Sequence, residues 1–154
     1  MNLLINSEQI KKLLTNLYMF TGILTNIYDK HGNDIQLFGN HSDFCRMMNM
    51  DPEGHERCIK SDCRAVNSCG MSRKPYCYRC HAGLREVIIP LFDSGELIAF
   101  LAFGQLLDMR SYSEQWEHTL STLDWYKGDV RALQEAFMRL KRLPQEEFSA
   151  YIEI

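Results

Sequence analysis

Apolar residues along this chain alternate between helical and strand rhythms, and the alternation predicts the order of elements. Ile10, Leu13, Leu14 and Leu17 fall at i, i+3, i+4 and i+7, one face of a helix that Ser7 is placed to cap. Gly22 ends that rhythm. Residues 23–29 read as a strand, and Lys30-His31-Gly32-Asn33 supplies turn chemistry before a second strand at 34–38. Ser42 heads a short helix at 42–50 through Phe44, Met47 and Met48; Pro52 and Gly54 break it, and a longer helix is expected from about Glu53 to Cys69. Gly70 to Pro75 reads as a loop. Residues 85–92 form a strand, Asp93-Ser94-Gly95-Glu96 a turn, and 97–107 a strand apolar on both faces, which predicts a central place in a sheet. Trp116, Leu120 and Leu123 return to helical spacing. So do Val130, Leu133, Phe137 and Leu140, spaced like the seam of a helix pair. Pro144 suits the first position of a last helix, still running at Ile154. This order predicts an α+β domain, one antiparallel sheet flanked by helices, filling residues 1–154 as a single unit.

Composition narrows the function classes. With 154 residues, 45% of them apolar and 24% charged, the chain has the balance of one globular domain. Its net charge of −3 argues against a protein built to coat nucleic acid. The charge is uneven: from Glu53 to Glu86 seven basic residues face four acidic ones, a net of +3 that leaves −6 for the rest. That segment reads as a solvated face or as a mouth for an anion. The apolar stretches Val87–Phe92 and Leu97–Leu107 are too short to span a bilayer, and residues 1–20 lack the pattern of an export signal. A cytoplasmic protein without membrane contact is expected. No Walker loop, dinucleotide glycine pattern, nucleophile elbow or HExxH zinc motif is present, which removes the common enzymes built on them.

The chemistry gathers in one stretch. Cys45, Cys58, Cys63, Cys69, Cys77 and Cys80 lie within 36 positions, with none elsewhere. In a reducing compartment they are packed thiols, metal ligands or redox sensors rather than disulfides. Cys58-x4-Cys63 and Cys77-x2-Cys80 approach the spacing of a zinc ribbon, in which Cys45 could replace one ligand and His81 supply a nitrogen. Cys77-x-x-Cys80-His81 also matches a c-type haem attachment site and, in its CxxC half, a thioredoxin-type pair, but that pair follows a strand and this one precedes one. Gly104-Gln105 interrupts an apolar strand. The glycine permits close approach, and a buried Gln must bond either a neighbouring loop or a polar ligand.

Asp43-Phe44-Cys45-Arg46, Gly54 through Asp62, Tyr78-Arg79-Cys80-His81-Ala82-Gly83-Leu84, and Pro90 through Gly104-Gln105 together resemble the PocR sensory domain family. The resemblance implies a PAS-like antiparallel sheet and a regulatory rather than enzymatic role. It further implies sensing of a small organic ligand, such as a diol, sugar or similar hydrocarbon derivative. Such domains precede AraC-type helix-turn-helix modules or kinase and cyclase outputs, so DNA would be met only through an output module not present here. The family's recurring cysteines fall on Cys45, Cys58 and Cys80 and its histidine on His81, an expected cluster with structural zinc as its candidate cofactor. The expected function is a small-molecule sensor domain of a bacterial regulator; the alternative is a cysteine-based redox or zinc-stabilised interaction module. A homodimer through the C-terminal helices is expected, unless the Val130–Leu140 stripe packs on its own sheet. Alternation along 97–107 puts Ala99, Leu101, Phe103 and Gln105 on one face. The ligand pocket is therefore expected there, lined by Tyr78, His81 and Gln105 with Phe103 or Phe100 as its wall.

Overall fold

The computed structural model describes residues 8–153, so the expected Ser7 cap lies outside the described residues. Helix α1 (Glu8–Thr21) leads into the hairpin β1 (Leu24–Asp29) and β2 (Asp34–Phe38), followed by α2 (Asp43–Met50) and α3 (Pro52–Ser72). Then come β3 (Tyr76–Arg79), β4 (Arg85–Asp93), β5 (Glu96–Leu107), α4 (Tyr112–Leu120), α5 (Val130–Phe137), β6 (Lys141–Arg142) and α6 (Gln145–Ile152). The sheet runs β2-β1-β5-β4-β3 with every pair antiparallel, and β6 adds a short parallel pair at the end of β5. The fold is α+β, with β5 central as its two apolar faces predict.

Local chemistry explains the boundaries. Ser42 caps α2 by accepting from the Cys45 N–H, and Asp51 caps α3 by accepting from the Glu53 and Gly54 N–H groups. Pro52 therefore starts α3 rather than merely ending α2. Gly54 is required by contact: a Cβ there would lie 2.0 Å from the Met48 carbonyl oxygen. Helix α3 continues to Ser72, past the expected Cys69, and stops where Arg73 turns left-handed at φ 57°. Strands β3 and β6 are too short to show a period.

Two helical layers cover the sheet. On one face α1 and α6 bury Ile23, Ile27, Val87, Phe103, Leu106 and Phe148. On the other, α3 packs Ala65, Val66 and Cys69 against Ile88 and Phe100. Beside these, α2, α4 and α5 close a third core around Phe44, Leu84, Leu107, Trp116 and Phe137. Leu133, Phe137 and Leu140 are buried in that core, so the stripe expected as a dimer seam is consumed within the domain; only Val130 is exposed.

The strict alternation expected along β5 fails at Gly104-Gln105. Val87 pairs with Phe103 and Arg85 with Leu106, so two residues of β5 stand opposite the single Glu86 of β4. This is a β-bulge, with Gln105 left-handed at φ 64°. The extra residue swaps the faces beyond it. Phe103 and Leu106 point toward α1 and α6, and Gln105 points the opposite way, toward α2. Phe103 is thus corrected from pocket wall to core residue of the other face.

Candidate functional site

On the α2–α3 side of the sheet lies a cavity of about 310 Å³. Asn26 and Tyr28 of β1, Glu86 of β4 and Gln105 of β5 form its floor; Phe44, Cys45 and Met48 of α2 and Cys58, Ile59 and Asp62 of α3 form its walls. Cys80, His81, Ala82 and Leu84, in and beside the turn between β3 and β4, close one side, and His41 and Asp34 stand at another. Small-ligand sites are concave spaces that combine apolar walls with converging polar groups, and this cavity has both, with a polar share that is high for its kind.

The bulge builds the floor. A Cβ on Gly104 would lie 2.7 Å from the Glu86 Cγ, so only glycine lets that side chain fold over the strand. The Gln105 amide is fully engaged: its Oε1 accepts from the Ser42 N–H at 2.8 Å, and its Nε2 lies 2.8 Å from the His41 Nδ1. Gln105 therefore ties the start of α2 to the sheet. Holding a non-glycine residue left-handed costs about 1–2 kcal/mol, which these bonds offset.

The electrostatics are acidic and poorly solvated. The Tyr78 hydroxyl donates to Glu86 Oε2 at 2.8 Å, and the Asn26 amide donates to Asp34 Oδ1. Burial first, then the Asp62 charge, pushes the Glu86 carboxyl up to about 8, against the pull of Tyr78. Burial and Asp34 likewise raise Asp62 to about 6. Burial lowers His81 and His41 below the ordinary histidine value, which favours neutral rings.

The expected cysteines also line this cavity, all as free thiols. Cys58 Sγ lies 3.2 Å from His81 Nε2. Burial raises the Cys45 and Cys80 thiols and pushes Cys58 up to about 11, the reverse of the lowered value a reactive cysteine needs. Among the described residues no three His, Cys, Asp or Glu side chains are arranged to hold one metal ion. The Cys45/Cys58/Cys80/His81 set thus shares a cavity without the convergent geometry of a zinc site. Cys63 and Cys77 are exposed, and Cys69 is buried with its thiol donating to the Lys74 carbonyl.

Of the expected pocket residues, His81 and Gln105 border the cavity, and Tyr78 stands behind Glu86 rather than in the wall. Phe100 is buried beneath α3. Glu86, Asp62 and Asn26 went unread, although a lone carboxylate inside the apolar strand 85–92 is a visible signal. No helix among the described residues is long and apolar enough to cross a membrane.

The architecture is a helix-flanked antiparallel sheet with a cavity beside a bulged central strand. The family model described as the sensory domain found in PocR matches residues 3–154, and the chain belongs to that family. It is similar to the Regulatory protein PocR of Salmonella typhimurium (strain LT2), 30% identical over 148 residues. That match covers 96% of this chain and 47% of the relative, so the chain spans about half the relative's length. No solved structure matches.

Proposed function

We propose that this domain senses a small polar organic molecule held between α3 and the sheet, within a longer bacterial transcription or signalling regulator. It acts by binding and not by catalysis, and contact with DNA falls to an output module. The observation that carries this reading is the cavity over the β5 bulge, in a chain of the sensory-domain family. A route outward supports it. Glu86 faces the cavity, while its neighbour Arg85 lies over the Phe148 ring at 3.9 Å and donates to Gln145 Oε1 at 2.7 Å. A ligand that moves Glu86 therefore pulls on α6 through β4, a population shift between two positions of that helix.

Native mass spectrometry of the purified chain tests the reading. A small molecule is expected to co-purify, and Ser61→Trp, which fills the cavity from α3, is expected to expel it. A molecule that stays bound to a folded Ser61→Trp chain would place the site elsewhere.

A further inference from the structure

We propose that the molecule taken by this cavity is a small organic cation, a short amine or amino alcohol whose ammonium group sits between Glu86 and Asp62. This rests on the cavity being the ligand site, as proposed above. Three carboxyl side chains line the cavity and no Lys or Arg does. The nearby cations are paired outside it: Arg46 with Asp43, Arg57 with Glu53 and Lys60 with Glu56. Among the described residues Asp62 has no hydrogen-bond or ion-pair partner, and Glu86 accepts only from Tyr78.

The remaining polar lining asks for donors as well. Asn26 Oδ1 is buried without a partner, its amide nitrogen being spent on Asp34. The amide of Gln105 is occupied at both ends. Carboxyls that share a poorly solvated cavity are costly until a positive charge joins them; burial and then Asp62 raise Glu86, and burial and then Asp34 raise Asp62. A neutral diol would satisfy acceptors but leave the Asp62 carboxylate without a counter-charge, and an organic anion would add to the negative charge. Among the described residues no three donors converge on one point, so a single metal ion does not fit, whereas an ammonium group needs only the two carboxyls. An ammonium group brings N–H donors and charge together, and the rings of Tyr28 and Phe44 in the lining suit its organic remainder.

Isothermal titration with aminobutanol, butanediol and hydroxybutyrate separates the classes, since the same four-carbon chain ends in an ammonium, a hydroxyl or a carboxylate. Aminobutanol is expected to bind at least about tenfold more tightly than butanediol, and hydroxybutyrate not at all. Glu86→Gln, and separately Asp62→Asn, should weaken aminobutanol about tenfold and butanediol less than about threefold, with thermal melts confirming folded variants. Butanediol binding as tightly as aminobutanol would overturn the cation assignment while the cavity reading stands. No binding by any probe to a chain freed of its co-purified molecule by unfolding and refolding would do the same. Aminobutanol binding undiminished by Ser61→Trp would overturn both.

Discussion

Toward α1 and α6, strand β5 presents Ala99, Leu101, Phe103 and Leu106 in a closed apolar layer, where Phe103 is 2% exposed and meets Tyr151 ring to ring at 5.4 Å. Toward α2 and α3 the same strand presents Phe100 and Ala102 and then, across the bulge, Gln105 beside an open space holding Glu86. One face buries a continuous set of apolar side chains; the other keeps a cavity, a left-handed Gln and carboxyls displaced from their ordinary titration. The difference shows how a small domain hosts a strained site. Apolar burial on the complete face holds the sheet, so the incomplete face can retain groups whose arrangement lowers stability.

The contrast breaks most sharply at Phe103. Phe103→Ala should cost about 3–5 kcal/mol in urea unfolding, since α1 and α6 cannot collapse fully into the hole. A loss below about 1 kcal/mol would mean that the face is not the support described here. Gln105→Leu comes next, at about 1–3 kcal/mol, because it leaves the Ser42 N–H without its acceptor and loosens the start of α2. An unchanged melting temperature would remove Gln105 from its tying role. The third effect is read as a change per pH unit, and it sharpens the comparison electrostatically. Glu86 holds its proton in the fold up to about 8 but releases it near 4.5 when unfolded, so between these values the native state binds more protons. Its stabilisation is fully present below about 4.5 and is lost as pH rises through about 8. The slope is at most about 1.4 kcal/mol per pH unit, made shallower by water at the cavity mouth. Glu86→Gln should flatten that decline in unfolding curves across the window, whereas Phe103→Ala should leave its shape unchanged.

Much of the scaffold was legible because helices and hairpins are written in near neighbours. Ser42 announces a helix start, the Lys30–Asn33 turn announces the first hairpin, and the unbroken apolar run of β5 announces its central place. The site was legible only in part. His81 and Gln105, expected at a ligand pocket, and Cys45, Cys58 and Cys80, expected as a cluster with His81, all border one cavity, whereas Phe103 lies on the other face of the sheet and Glu86 was passed over.

What the sequence by itself determined is the order and type of the main elements and the family they belong to, since period, caps and turn residues act within a few positions of one another. Only the tertiary structure decided which way Gln105 points and which charges meet. The bulge is set by the register of β4 against β5 and secured by a hydrogen bond to Ser42, 63 residues away. The acidic lining joins Asp34, Asp62 and Glu86 from β2, α3 and β4. A single inserted residue reverses every side chain beyond it, and no local pattern records that reversal because the partner strand imposes it.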